Sequence, residues 1–187
     1  MAKVYVFLAD GFEDIEALAP IDILRRGGQD VTTVSINATE KVESAHGVTI
    51  LADTTLAAAG DMADADLLLL PGGMPGAQHL KDSSEVGRLL LSHNAKGGRI
   101  GAICAAPMVL GSLGLLRGKR ATCYPGFESQ LEGATYTAEL VTEDGNITTG
   151  EGPAAAMPYG YKLLSYYASA DVMDALKEGM RFNHLMA

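Results

Sequence analysis

The chain has 187 residues, 48% of them hydrophobic and 20% charged, and its formal net charge is -9 at pH 7. This length and composition predict a single globular domain, residues 1–187, whose core needs neither disulfides nor metals. The acidic balance argues against binding of nucleic acid or an anionic membrane, because both need a basic patch. No apolar run approaches the roughly 20 residues of a membrane span. The first residues are typical of a strand rather than a signal peptide, so we expect a cytoplasmic protein.

The cysteine content indicates free thiols. Cys104 and Cys123 are too few for a disulfide framework, and they lack the paired spacing of a zinc site. The histidines show no metal-ligand spacing either, so we expect no metal. Two free cysteines are typical of a protein in a reducing compartment.

Strands and helices alternate along the first half of the chain. We predict strands at 3–9, 30–36 and 66–70, a hairpin or an edge extension at 41–50, a small-residue connector at 57–65, and a loop or short helix at 75–80. A helix with an acidic first turn begins near Phe12, and Pro20 predicts a break into two segments. Asp82, with Glu85 three residues later, is predicted to cap the next helix.

The second half continues the alternation. We predict a strand at 99–103, a helix at 105–116, a strand at 120–124, a hairpin around the turn at 144–146, and helices at 154–168 and 171–181. The run at 66–70 is apolar throughout, which is typical of a strand buried on both faces of a parallel sheet. The pattern predicts an α/β fold with a doubly wound, mostly parallel sheet and a small antiparallel hairpin.

Cys104 follows the strand 99–103 directly and is flanked by small residues. A reactive side chain at such a strand-to-helix turn is accessible from above the sheet. The end of the following helix would favour the thiolate. The alternative is a buried structural cysteine, since free cysteine is among the most buried residue types.

In a parallel sheet, ligands gather at the carboxyl ends of the strands. This rule brings together residues 10–16, residues 71–73 and Cys104. The amides of Gly72, Gly73 and Ala105 could bind a developing oxyanion, although a Gly-Gly pair is also typical of a plain turn. Glu16 would raise the pKa of the thiol if ionised and lower it if protonated. The alternative is that Glu16 belongs to a solvated acidic turn.

Four segments carry a resemblance to a known family: residues 9–16 (ADGFEDIE), 70–77 (LPGGMPGA), 102–107 (AICAAP) and 149–153 (TGEGP). Together they resemble the ThiJ/PfpI superfamily, in the branch of the parkinsonism-associated protein deglycase and its bacterial relatives. The resemblance implies a flavodoxin-like homodimer with helices on both faces of the sheet. It also implies that Cys104 is a nucleophile and redox-sensitive thiol. Glu16 matches the protonated glutamate that hydrogen-bonds the sulfur, and Gly73 and Ala105 match the backbone donors.

Two positions depart from the family pattern. Tyr124 stands where several relatives have a histidine, so a Cys–His pair is absent, and with it the easiest route to peptidase or amidase chemistry. Tyr124 could contact substrate but is a poor base at neutral pH. His46 replaces an arginine, which puts an anion contact there in doubt. Arg26 keeps its match and is a candidate substrate contact.

The remaining candidates have less specific signals. His79, His93 and His184 are predicted to be solvated. Cys123 is predicted to end the strand beside 99–103 as a small buried hydrophobe, rather than to act as a resolving thiol.

The leading interpretation is a glyoxalase or deglycase in which Cys104 adds to an α-oxoaldehyde such as methylglyoxal, or to its early adducts, and Glu16 moves a proton. No cofactor is required. The first alternative is an oxidative-stress sensor or redox-regulated chaperone that works through oxidation of Cys104. Peptidase or amidase activity is a weaker alternative. The expected partners are a small-molecule aldehyde or glycated adduct and a second copy of the chain.

Overall fold

The structure, a computed structural model, describes residues 1–185. Its strands are β1 Lys3–Leu8, β2 Asp30–Ser35, β3 Lys41–Glu43, β4 Thr49–Leu51, β5 Thr54–Thr55, β6 Leu67–Leu70, β7 Arg99–Ile103, β8 Arg120–Ala121, β9 Thr135–Tyr136, β10 Val141–Asp144 and β11 Ile147–Gly150. Its α-helices are α1 Asp14–Arg26, α2 Leu56–Ala59, α3 Gly76–Asp82, α4 Ser84–Ala95, α5 Pro107–Ser112, α6 Ala156–Leu164, α7 Ala170–Gly179 and α8 Phe182–Leu185. Two 3₁₀ turns span Glu128–Gln130 and Pro153–Ala155.

Seven strands form the central sheet in the order β10-β11-β7-β6-β1-β2-β5. Every neighbouring pair is parallel except β10 and β11, which form the predicted antiparallel hairpin. All four residues of β6 are buried, so both faces of the sheet are covered there. The predicted α/β class with a mostly parallel sheet is confirmed. Within residues 1–185, no helix combines the length and apolarity needed to cross a membrane.

The predicted break at Pro20 is wrong, because α1 runs without interruption from Asp14 to Arg26. Proline removes one amide hydrogen bond from a helix interior, and tertiary packing can offset that loss. Pro20 lies on the buried face of α1, opposite Gly160 of α6. A Cβ at Gly160 would lie 3.1 Å from the Pro20 Cα, so the missing side chain lets the two helices approach closely.

The strand predicted at 120–124 is also wrong in extent and place. Only β8 forms, and it pairs with β9 outside the central sheet. The position beside β7 is occupied by β11, where Gly150 lies opposite Ile103. Cys123 is therefore buried, as predicted, but does not lie on a strand that neighbours β7.

Two local predictions also need correction. The cap of α4 is Ser83, whose hydroxyl accepts from the amide of Val86, whereas Asp82 is the last residue of α3. His93 is buried rather than solvated, and its Nε2 lies 3.0 Å from the carbonyl oxygen of Arg99. The imidazole fills space left by Gly98, where a Cβ would lie 2.2 Å from the ring.

Candidate active site

Cys104 occupies a turn held in an unusual backbone conformation. Its φ is 63°, in the left-handed region that residues other than glycine rarely adopt. Two backbone hydrogen bonds fix the turn: the amide of Cys104 donates to Gly150 at 2.9 Å, and the amide of Tyr124 donates to the carbonyl of Cys104 at 2.9 Å. Such conformations concentrate at functional sites, where the surrounding structure holds them in place. The side chain is 8% exposed, so only a small part of it is open to solvent.

Glu16, on the first turn of α1, faces the Cys104 thiol within hydrogen-bonding reach. The carboxyl group is 2% exposed, and its Oε2 accepts from the amide of Gly72 at 3.0 Å. Within residues 1–185, its Oε1 meets no hydrogen-bond donor in ordinary geometry. Burial raises the pKa of Glu16 to about 7, and the charge of Glu13 adds to this effect. The alternative of a solvated acidic turn is therefore wrong for Glu16.

The pKa of Cys104 is raised to about 12, first by burial and then by the neighbouring Glu16. The expected lowering by a helix end is not found, because α5 begins three residues later, at Pro107, and spans only 6 residues. The amides of Gly73 and Ala105 act in the opposite direction and favour the thiolate. Between about pH 7 and pH 12, the Cys104–Glu16 pair therefore carries one proton and one negative charge.

Gly72 separates the two reactive side chains. A Cβ at this position would lie 2.6 Å from the Cys104 Cβ and 2.6 Å from Oε2 of Glu16. Gly73 has a φ of 86°, and a Cβ there would lie 2.4 Å from the amide nitrogen of Glu13. The loops after β1 and β6 thus pack backbone against backbone, which brings the carboxyl, the thiol and the amides together.

We predict that Gly72→Ala displaces Glu16 from Cys104. Overpacking of a buried site costs about 1–3 kcal/mol of folding free energy, and the added methyl group would occupy the contact between the two side chains. Chemical denaturation would measure the stability, and the alkylation rate of Cys104 would report the environment of the thiol. Gly179→Ala is the matched control, because a Cβ there meets no atom of residues 1–185 within 4 Å. Equal stability and equal thiol reactivity in the two variants would contradict this role of Gly72.

The other predicted site residues lie at different distances from the pair. Tyr124 is 46% exposed, and its amide is hydrogen-bonded to the Cys104 turn, so its hydroxyl is available to a ligand near the site. Arg26 ends α1, about 15 Å along the helix axis from Glu16, and forms an ion pair with Asp22. The structure therefore does not bring Arg26 to the site. His46, in the β3–β4 turn, lies 2.8 Å from the carboxylate of Asp14.

Glu13, Asp14 and His46 carry potential metal-ligand atoms within 4.8 Å of one another. These groups already have protein partners: Glu13 accepts from the amide of Glu16, and Asp14 accepts from the hydroxyl of Ser44. The positive end of the α1 dipole also opposes a cation at this position. We assign no metal to this group.

One feature of the site lies outside the predicted set. A cleft of about 290 Å³ adjoins the Cys104 turn and is lined by Tyr124, Pro125, Glu151, Gly152, Pro153, Ala154 and Ala155. Glu151 follows β11, the strand that neighbours β7. The strand-end rule that selected Glu16 could have selected Glu151 if β11 had been placed beside β7. A larger cavity of about 430 Å³ lies at the other end of the sheet, beside Arg99 and His93.

Comparison with known proteins identifies similar sequences over most of the chain. The profile of the DJ-1/PfpI family matches residues 2–166. The chain is 39% identical to Protein dj-1beta of Drosophila melanogaster over 178 residues, which is 94% of each chain. It is 40% identical to Protein DJ-1 homolog B of Arabidopsis thaliana over 87% of this chain, but it spans only 37% of that longer protein.

Two further comparisons bear on activity and fold. Glutathione-independent glyoxalase DJ-1 of Schizosaccharomyces pombe is 32% identical over 189 residues, covering 96% of this chain and 98% of the relative. The structure of oxidized Toxoplasma gondii DJ-1 matches with a TM-score of 0.91 at 35% identity, over 96% of this chain and 98% of that one. This likeness confirms the flavodoxin-like arrangement expected from the sequence.

Proposed function

The chain belongs to the DJ-1/PfpI family, and from that membership and the geometry of the site we propose a cofactor-independent glyoxalase or deglycase activity on α-oxoaldehydes or their early adducts. The observation that carries the proposal is the buried carboxyl of Glu16 facing the Cys104 thiol across Gly72. A relative of similar length is named a glutathione-independent glyoxalase, which supports the same chemistry.

The chemistry begins with the single proton that the pair holds. The Cys104 sulfur attacks the aldehyde carbon of methylglyoxal, and Glu16 protonates the oxygen, which gives a hemithioacetal. The resulting carboxylate of Glu16 then removes the hydrogen of that carbon as a proton and returns a proton to the adjacent ketone carbon, while the hydroxyl proton of the hemithioacetal passes to the ketone oxygen, which gives a thioester with a neighbouring hydroxyl group. The aldehyde carbon is oxidised as the ketone carbon is reduced, so no external oxidant is needed. Water cleaves the resulting thioester to lactate and restores the thiol.

The amides of Gly73 and Ala105 would stabilise negative charge that develops beside the sulfur. Tyr124 is placed to hydrogen-bond the substrate. In the part of the chain that the structure describes, no histidine is among the groups that shift the pKa of the Cys104 thiol. Peptidase or amidase chemistry, which needs a base that relays protons to a leaving amine, is therefore disfavoured.

The test of this function is a product analysis. Purified protein is incubated with methylglyoxal without glutathione or added cofactor, and lactate is followed by proton NMR. We expect lactate to form in proportion to the protein added. Consumption of methylglyoxal without lactate would indicate trapping by side chains, and would overturn the proposed turnover.

Oxidation of Cys104 is a second candidate function, favoured by the two amides that face the sulfur. They would stabilise the negative charge of a sulfinate, and the similar Toxoplasma gondii structure is described as oxidized. Mild hydrogen peroxide is expected to add two oxygen atoms to Cys104, measured by peptide mass spectrometry. In the described part of the chain, no such amide acts on the buried Cys123, which serves as the internal control and should stay unmodified. Equal oxidation of both cysteines would contradict a sensor role.

A further inference from the structure

Backbone hydrogen bonds connect both walls of the cleft to the turn that carries Cys104. The amide of Cys104 donates to Gly150, the residue before Glu151, and the amide of Tyr124 donates to the carbonyl of Cys104. The Tyr124 ring lies against Gly152, where a Cβ would be 3.1 Å from the ring. Both walls of the cleft are thus attached to the turn that carries the sulfur. A substrate bonded to Cys104 can extend its remaining part into this space.

The charge of this cleft is of one sign. Glu151, which is partly buried, lines it, and none of its lining residues is lysine or arginine. Within residues 1–185, Glu151 forms no ion pair. At the rim, both carboxylate oxygens of Glu128 accept from the amide of Gly126, at 2.9 and 3.0 Å, which holds a second negative charge close to Pro125. Both carboxylates also raise the pKa of the buried Cys123, after the larger effect of burial.

We propose that Glu151 is a specificity-determining residue that makes the Cys104 site select compounds whose non-reacting part is neutral or positively charged over compounds that carry a carboxylate or phosphate. The inference rests on the proposed function for the identity of the reacting group, an α-oxoaldehyde or its adduct. The charge selection itself depends only on the cleft.

The size of the effect follows from Coulomb's law in a wet cleft. One unit charge at about 6 Å in a largely aqueous dielectric changes a rate or affinity by roughly three- to fivefold. A cation is attracted and an anion repelled, so the ratio of the two rates should be about tenfold. Salt at about 1 M, with a Debye length near 3 Å, should remove most of this preference.

The experiment uses two methanethiosulfonates of similar size, one with a trimethylammonium group and one with a sulfonate. Each forms a disulfide with Cys104 and releases methanesulfinate. Rates of labelling are followed by peptide mass spectrometry and divided by the rates of the same reagents with 2-mercaptoethanol. In wild-type protein the cationic reagent should react about tenfold faster than the anionic one. Glu151→Gln should lower this ratio roughly threefold or more.

Glu132→Gln is the matched control, because it removes one exposed negative charge that does not line the cleft. Its ratio should equal that of wild type. The proposal is overturned if the anionic reagent reacts as fast as the cationic one, or if Glu151→Gln leaves the ratio unchanged, or if both variants lower it equally. The measurement needs no catalytic turnover, so failure of the glyoxalase proposal would leave its result intact.

Discussion

Cys104→Ala is expected to lose lactate formation from methylglyoxal entirely, by at least about a thousandfold relative to wild type. Without the sulfur no hemithioacetal forms, and neither Glu16 nor the two amides can replace the carbon–sulfur bond. The change removes only a small buried atom, so the fold should remain. The measurement is the rate of lactate production at saturating methylglyoxal, corrected for the reaction in buffer.

Cys123→Ala is the matched control for this prediction. Cys123 is also a buried free thiol, but it lies outside the contact between Cys104 and Glu16. Its variant should keep turnover close to that of wild type. Substantial lactate formation by Cys104→Ala, or equal losses in the two variants, would show that Cys104 is not the nucleophile.

Glu16→Gln is expected to lower kcat by about 10²- to 10⁴-fold, the usual contribution of a general acid–base group. Glutamine has almost the same size, and its amide oxygen can still accept from the amide of Gly72. It cannot take a proton from the hemithioacetal carbon and return it. The loss should therefore appear in kcat, measured by steady-state kinetics with methylglyoxal.

Glu13→Gln separates the role of charge from that of proton transfer. Glu13 is buried beside Glu16, caps α1 and contributes to the raised pKa of Glu16. Its replacement removes a negative charge but leaves the proton carrier in place, so kcat should change only severalfold. Equal losses of kcat in Glu13→Gln and Glu16→Gln would contradict a specific proton-transfer role for Glu16.

The sequence predicted the sheet well where local patterns decide the structure. The apolar run of β6 identified a strand buried on both faces, and the turn at 144–146 identified the hairpin. The failures depend on contacts between distant segments. α1 continues through Pro20 because Gly160, which has no side chain, lets α6 pack closely against it. Residues 122–124 do not join the central sheet, because β11 pairs with β7 instead.

The candidate site was partly predictable for the same reason. Ligands generally bind at the carboxyl ends of the strands in a parallel sheet. This rule placed Glu16, Gly72, Gly73 and Cys104 in one region. The steric role of Gly72 was not predictable, because it depends on two side chains far away in sequence. The raised pKa of Cys104 was not predictable either, because burial outweighs the backbone donors only once the depth of the sulfur is known.

The central claim is that Cys104 and Glu16 share one proton, and the pH dependence of Cys104 alkylation by iodoacetamide tests it most directly. In wild-type protein, alkylation should rise only well above the pH range of an ordinary thiol, because burial and the ionised Glu16 both raise the pKa of Cys104, to about 12. In Glu16→Gln the midpoint should move to lower pH, because glutamine carries no negative charge, although burial should keep the pKa of the thiol raised. The same midpoint in both proteins, or an ordinary thiol midpoint near ~8.5 in wild type, would contradict the claim.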